Sequence, residues 1–330
     1  MVNAIAPAEP GAADIAEAVR RLEAGELVGL PTETVYGLAA DADNPAAVAA
    51  IYARKGRPAD HPVIVHVHRD ADLGRWAREV PACARQLVAA FWPGPLTLIL
   101  PRRPGVAEAC AGGQDTIGLR CPAHALAQAV LARFKGGQGG LAAPSANRFG
   151  RISPTTAAHV RAELGDDLLV LDGGPCAVGI ESTIVDCTAD PPRILRPGRL
   201  GAEEIARVLG VDPRTLTRPA ETAPRVAGAL PAHYAPRTPL LLRSARQIDA
   251  EQAAGRSIAV LALHPPAVEA GPNWITLGAD PAVYAQSLYA AMRALDASGA
   301  GAIWVELPPD TPDWLAVRDR LARAAHGSGR

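Results

Sequence analysis

Six short segments of this chain carry residue types and spacings that could do chemistry. Pro31-Thr32-Glu33-Thr34-Val35-Tyr36-Gly37 sets two threonine hydroxyls and a carboxylate between an apolar run and a glycine. Such groups at a strand's end bind small polar ligands, or they simply turn the chain. Lys55-Gly56-Arg57-Pro58 follows a helical pattern. A lysine point charge and a planar arginine fork, two residues apart on an irregular loop, can converge on one phosphate chain. The alternative is a solvated helix C-terminus, whose partial negative charge favours cations. In His61-Pro62-Val63-Ile64-Val65-His66-Val67-His68, His66 and His68 share one strand face. No third ligand stands at matching spacing, so a hydrogen bond to a substrate carboxylate suits a histidine here better than a metal does.

Thr116-Ile117-Gly118-Leu119-Arg120 is an apolar strand that ends in a charge. Such a charge either reaches solvent or binds an anion, and a carboxylate fits its fork. Pro144-Ser145-Ala146-Asn147 runs on to Ser153-Pro154-Thr155, where a helix start offers an anion site, or serine serves as a plain cap. Glu181-Ser182-Thr183-Ile184-Val185-Asp186 and Arg193-Ile194-Leu195-Arg196-Pro197-Gly198 close the set. Composition sharpens these choices. Lysine occurs only at Lys55 and Lys135, and before residue 244 serine occurs only at Ser145, Ser153 and Ser182. A residue type that the composition disfavours is more often present for a chemical reason.

Several classes are excluded. There is no G-x-x-x-x-G-K-[ST] loop and no G-x-S-x-G elbow. Cys83, Cys110, Cys121, Cys176 and Cys187 contain no C-x-x-C pair, which removes zinc-ribbon and thioredoxin readings and leaves buried free thiols. Net charge is −1 over 330 residues, unevenly spread. Residues 1–189 carry 17 basic and 20 acidic side chains, 190–243 carry 9 and 5, and 244–330 carry 7 and 9. A basic excess confined to one connecting stretch suits a few phosphates better than a polyanion.

The elements that must position these segments follow from periodicity. Residues 13–24 read as an amphipathic helix and 26–30 as a strand, with 31–37 a turn-rich loop. Asn44-Pro45 caps a helix to about Arg54. Strands are expected at 63–68, 96–100, 116–120, 168–171, 183–187 and 193–195. Helices are expected at 70–78, 81–91, 123–134, from Ser153-Pro154 to Leu164, and at 202–209. Short strands alternating irregularly with helices predict an α/β domain with a twisted mixed sheet over 1–210. Residues 211–238, rich in Pro, Arg and Thr, read as a linker. Strands at 239–242, 257–262, 274–277 and 302–306, with helices at 280–298 and 312–325, predict a smaller Rossmann-like α/β domain over 239–330. The longest apolar run, 88–100, is broken by Pro93-Gly94-Pro95 and is too short to span a bilayer. With no basic-then-apolar N-terminal pattern either, a cytoplasmic location is expected.

Taken in order, these segments resemble the YrdC-type threonylcarbamoyl-AMP synthases. The resemblance rests on G-L-P-T-E-T-V-Y-G-L at 29–38, K-x-R at 55–57, S-x-N at 145–147, S-P-T at 153–155 and E-S-T-I-V-D at 181–186. R-P-G at 196–198 and H-Y-A-P at 233–236 resemble the long form, which adds a linker and a Rossmann-like domain. The family makes L-threonylcarbamoyladenylate and pyrophosphate from L-threonine, bicarbonate and ATP with Mg2+. That is the first step of threonylcarbamoyladenosine synthesis on tRNAs that read codons beginning with A. The resemblance therefore implies a nucleotidyltransferase that hands its product to a tRNA-modifying machinery.

The resemblance also implies roles. Thr34, His66, Arg120, Ala143 and Ser182 would hold threonine. Lys55, Arg57, His61, Thr116, Ser145, Ser153 and Arg196 would hold the nucleotide, with Asn147 beside them. His61 and Ala143 would act largely through position or backbone. Lys55, Arg57 and Arg196 would stabilise charge in the transition state, while no residue is singled out as a Mg2+ ligand. His233 and Tyr234 would fold over the site. Many long forms carry a basic residue just before H-Y, where this chain has Ala232. The alternative from another class is a non-catalytic RNA-binding or ribosome-maturation module, against which the charge of residues 1–189 argues. A carbamoyltransferase of the hydrogenase-maturation type would need cysteine pairs that this chain lacks.

Overall fold

The computed structural model describes residues 11–218, 223–253, 258–266 and 273–329. Helix α1 (Ala12–Glu23) buries Ile15, Ala18 and Leu22 as its spacing demands. It leads into β1 (Val28–Leu30) and β2 (Gly37–Asp41), an antiparallel pair with Leu30 opposite Gly37. Helix α2 (Pro45–Lys55) starts where the Asn44 side chain accepts from the amides of Ala46 and Ala47. It stops at Gly56, whose φ of 62° is left-handed, a conformation that suits glycine.

Strand β3 (Val65–Val67), helix α3 (Ala82–Phe91), and strands β4 (Leu96–Pro101) and β5 (Thr116–Arg120) follow. Next come α4 (Ala125–Arg133), β6 (Gly140–Ala142), α5 (Ala157–Leu164) and β7 (Leu169–Val170). The domain closes with β8 (Thr183–Asp186), β9 (Arg193–Arg196), α6 (Ala202–Leu209) and the short α7 (Pro213–Leu216). Its nine strands form one mixed sheet in the order β7-β1-β2-β6-β3-β5-β4-β8-β9. One face packs Ala39 and Leu141 with residues of α1 and α4. The other packs Leu38, Val65, Leu98 and Leu119 with residues of α2, α3 and α6.

The second domain holds β10 (Leu240–Arg243), α8 (Ala245–Ala253), β11 (Ala259–Ala262), β12 (Trp274–Thr276), α9 (Pro281–Asp296), β13 (Ile303–Glu306) and α10 (Leu315–Gly327). Its four strands are all parallel, in the order β10-β13-β11-β12. Its core does not stop at the domain edge, because Val35, Ile152, Ile180 and Tyr234 join the same apolar cluster as Leu261, Tyr284 and Leu288. The approach is close: a Cβ on Gly179 would stand 2.4 Å from the backbone of Gln286 on α9.

Three expectations are corrected, and elements that periodicity does not mark come to light. The helix expected at 70–78 is a single 3-10 turn, Leu73–Arg75. The chain then turns inward, with Trp76 fully buried and Ala77 bridged to Arg102. Ser153 does not cap α5; Thr156 does, accepting from the His159 amide, while the Ser153 hydroxyl is bound elsewhere. Strand β2 escaped the pattern reading because all five residues are buried, so no alternation marks it. Helix α8 was passed over as well. The stretch 211–238 is not featureless either: Leu216 of α7 is fully buried in the first domain's core, so that core is not complete at Leu209. Residues 219–222 of the stretch lie outside the described residues.

Candidate active site

The cleft forms where the ends of several strands meet the loops that follow them. The loop between β1 and β2 is shaped by Thr32, whose Oγ1 donates to the Val35 carbonyl at 2.6 Å and accepts from the Thr34 amide at 3.2 Å. The same oxygen lies 3.0 Å from Thr34 Oγ1, so Thr34 is buried and oriented. Glu33 bonds Arg120 at 2.6 Å, and its other oxygen accepts from the Ala123 amide at 3.0 Å. Arg120 ends β5 in register with His66 on β3. Burial, then the neighbouring Arg120, holds His66 down at about 3, so it is neutral at pH 7.

Lys55 closes α2 and is only 3% exposed. Its Nζ donates to the carbonyls of Ser145 at 2.5 Å and Asn147 at 2.6 Å. Two of its three protons thus set the shape of the loop after β6, and the third is left for a ligand. Burial, then Arg57, pushes its pKa well below the usual lysine value. Arg57 donates to the Pro62 carbonyl at 2.9 Å and lies 5.5 Å from the Phe149 ring centroid. Asn147 is pinned by its Nδ2, which donates to the carbonyls of Arg148 and Arg151.

Ser182, at the entry to β8, sits 2.7 Å from the Thr97 hydroxyl. Arg196 ends β9 and donates to the Ser182 carbonyl at 2.8 Å, to its hydroxyl at 3.1 Å, and to the Ala227 carbonyl at 2.8 Å. The linker crosses above: the Ala235 amide bonds the Gly150 carbonyl at 2.8 Å. Tyr234 has φ of 59°, a strained value for a tyrosine. Its hydroxyl lies against Gly228, where any Cβ would stand 2.2 Å away. Below, Glu181 accepts from Ser153 Oγ at 2.6 Å, from Tyr289 Oη at 2.9 Å and from Arg320 Nε at 2.9 Å. Burial would push the Glu181 carboxyl up; Arg320 and Arg196, with Ser153, outweigh it and hold it at about 2.

Arg57, His66, Arg120, Ala143, Ser145, Ser182, Arg196, His233 and Tyr234 line one cleft. Thr34, Lys55, Asn147 and Ser153 stand outside that lining. His61 reaches the cleft only through rings: it meets Phe149 edge-on at 5.4 Å, and Phe149 meets His233 at 6.0 Å. Thr116 is also outside the lining, at the start of β5, whose other end bears Arg120. Ser153 spends its one proton on Glu181, so in this arrangement it offers a ligand only lone pairs.

The electrostatics favour anions. Burial lowers the pKa of both Arg57 and Arg196, the mark of guanidinium charge short of counter-charge. Buried polar atoms left without partners cluster here too: Arg57 Nε, Arg120 Nε, His66 Nδ1, Asn147 Oδ1, His233 Nδ1 and Tyr234 Oη. Burying such groups is costly unless something satisfies them, and an anionic polar ligand would.

Pattern reading missed Glu181, Phe149, Tyr289 and Arg320 as parts of the site, and it gave Glu33 no role of its own. Glu33, Glu181 and Phe149 all lay inside segments already singled out. Tyr289 and Arg320 carry no local signal, since each looks like an ordinary residue of an amphipathic helix.

Among the described residues, no helix is long and apolar enough to cross a membrane. Residues 20–198 match the family described as telomere recombination, named for Sua5, YciO and YrdC. Residues 200–326 match the family described as the C-terminal domain of threonylcarbamoyl-AMP synthase. A Bacillus subtilis (strain 168) protein named threonylcarbamoyl-AMP synthase is 39% identical over 329 residues, 95% of this chain and 93% of that protein. One of the same name from Pyrococcus abyssi is 37% identical, over 91% of each chain. The crystal structure of P. abyssi Sua5 complexed with L-threonine superposes with a TM-score of 0.82 at 34% identity, over 95% of each chain.

Proposed function

The chain belongs to the Sua5/YrdC family, in the form that carries the additional C-terminal domain, and from that premise we propose how its cleft works as a threonylcarbamoyl-AMP synthase. The reaction joins L-threonine, bicarbonate and ATP into L-threonylcarbamoyladenylate with release of pyrophosphate. This makes the protein a nucleotidyltransferase acting in the cytoplasm at the first step of tRNA threonylcarbamoyladenosine synthesis. One observation carries the reading: a single cleft is lined by the buried hydroxyl of Ser182, which Thr97 holds from behind, beside buried guanidinium groups with unpaired N–H donors.

Threonine's carboxylate suits Arg120, which Glu33 already orients, and His66 stands beside it as a neutral partner. Threonine's hydroxyl suits Ser182, with Thr34 just behind the lining and hydrogen-bonded to Thr32, and the backbone of Ala143 forming the wall. The amine attacks bicarbonate and water leaves, giving a carbamate. A carbamate oxygen then attacks the α-phosphorus, the bond to the β-phosphate oxygen breaks, and pyrophosphate departs. Negative charge grows on phosphoryl oxygens in that step, where Arg57 and Arg196 provide preorganised cations. Lys55 contributes its remaining proton and the shape of the 145–147 loop, which presents Ser145 and Asn147. His61 borders the nucleotide through Phe149, and Thr116 and Ser153 take the nucleotide only if it extends beyond the cleft's present lining.

Magnesium would enter as MgATP, carried on the phosphate oxygens. Among the described residues no group of three His, Cys, Asp or Glu is placed to hold a metal. Carbamates decompose readily in water, so the cover made by His233 and Tyr234 has a purpose: it excludes water while the intermediate waits. The test is pyrophosphate release with ATP, bicarbonate and threonine, each omitted in turn. Release should need all three, and serine should replace threonine better than valine, because a site that bonds the hydroxyl leaves buried groups unpaired with valine. Equal release without threonine would make this an ATP pyrophosphatase and end the synthase reading.

A further inference from the structure

The C-terminal domain sends two buried side chains into the first domain's site. Arg320 on α10 is 0% exposed. Its Nε donates to Glu181 Oε2 at 2.9 Å, its Nη2 to the Glu181 carbonyl at 3.3 Å, and its Nη1 to the Pro197 carbonyl at 2.8 Å and to Asp319 at 2.9 Å. Tyr289 on α9, also fully buried, donates to the same Glu181 oxygen at 2.9 Å. Both side chains also grip the cover. The Arg320 guanidinium lies 5.4 Å from the Tyr234 ring centroid, and the Tyr289 ring stacks on Tyr234 at 5.7 Å and 28°. On the same helix as Arg320, Arg323 donates to the linker carbonyls of Ala229 and Leu230.

We propose that Arg320 and Tyr289 are positioning residues of the active site, fixing Glu181 in the cleft wall and Tyr234 in its cover as one unit. The second domain is then part of the active site's framework, beyond tethering the linker. The physical need is plain. Glu181 lies in a cleft that must take an anionic nucleotide, and a buried carboxylate there is tolerable only if fully paired. Arg320 neutralises it from behind and so spares most of the charge of Arg57 and Arg196 for the ligand. Glu181 in turn holds Ser153 and directly precedes Ser182, so its rotation would disturb both.

The kinetic part of the test rests on the synthase reading, so it is paired with a measurement that does not. The variants are Tyr289→Phe, Arg320→Met, Arg320→Lys and the double variant Arg320→Met/Glu181→Gln, with Arg318→Gln as a surface control on the same helix. Tyr289→Phe loses only a hydroxyl, so it should fold, with turnover reduced about tenfold or more, the loss of one hydrogen bond to a charged group. Arg320→Met should raise the KM for ATP at least about tenfold, because it leaves an uncompensated carboxylate in the anion site. Arg320→Lys should recover part of this, and so should the double variant, which removes the stranded charge.

Hydrogen exchange in Tyr289→Phe, without substrates, should rise at 150–156 and 226–236 and stay unchanged in β10 to β13. Wild-type turnover and KM in Tyr289→Phe and Arg320→Met would overturn the proposal. So would additive losses in the double variant, or exchange that rises evenly across the second domain. If Arg320→Met does not fold, Tyr289→Phe decides alone. If the wild-type chain makes no pyrophosphate, the synthase reading fails, and the exchange pattern still decides this inference.

Discussion

At the scale of single residues, the site is defined by what is buried and what is left unpaired. Lys55 illustrates the first point. Composition and the K-x-R spacing assign it to phosphates, yet its ammonium is committed mainly to the carbonyls of Ser145 and Asn147. Lys55→Met should therefore cost stability as well as turnover. The buried Asn147 carbonyl would lose its donor, at about 1–3 kcal/mol, and the part-buried Ser145 carbonyl would lose its own at a smaller cost. Urea unfolding should show the loss, and unchanged stability with reduced turnover would return Lys55 to a purely phosphate-binding role. Gly228 illustrates close approach. Its φ is 75° and a Cβ would meet Tyr234 Oη at 2.2 Å. Gly228→Ala should displace the cover and lower synthase turnover about tenfold or more, since the residue is buried against Tyr234 where the linker lines the cleft. Full activity would mean that the cover tolerates displacement.

At the scale of elements, strand ends and helix ends deliver the chemistry while apolar faces hold them in register. His66 and Arg120 meet because β3 and β5 are parallel neighbours, although they lie 54 positions apart in the chain. Helix α9 packs so closely on Gly179 that no side chain fits between. Gly179→Val should push α9 away, carrying Tyr289 off Glu181. The expected outcome is a lower melting temperature together with a large loss of turnover, read by calorimetry and by pyrophosphate release. Retention of both would mean that the domains dock with slack. Truncation experiments should respect the same packing: a cut after Leu209 removes Leu216 from the first core, whereas a cut after Arg218 keeps it.

At the scale of the whole molecule, buried histidines tie stability to pH. Burial holds both His66 and His233 at about 3, against 6.5 for the free side chain. Below pH 6.5 the unfolded chain binds protons that the folded chain does not. Stability is therefore greatest near neutrality and falls as pH falls from about 6.5 toward 3, by about 1.4 kcal/mol per pH unit for each histidine. Glu181, held at about 2, adds a further loss once pH drops below 4.5. Urea midpoints should thus decline steeply between pH 7 and 5, and His66→Gln should flatten the slope by about one proton's worth. Equal midpoints at both pH values would mean that these side chains are solvated.

Sequence alone determined the family and the two α/β units, and it pointed to most of the residues that line the cleft, because those depend on local signals. Hydrophobic period marks α1 and α9, Asn44-Pro45 marks the start of α2, and rare serines and lysines in fixed motifs mark the loops. What fell outside it needed distance in the chain to become nearness in space. Strand β2 is buried on both faces and so has no alternation to read. Ser153 is claimed by Glu181 rather than by the helix that its motif seems to start. The pairings of Arg120 with Glu33 and of Glu181 with Arg320 join residues 87 and 139 positions apart. Only packing of the two domains onto one apolar cluster brings such charges together, and burial there forces each to find its partner.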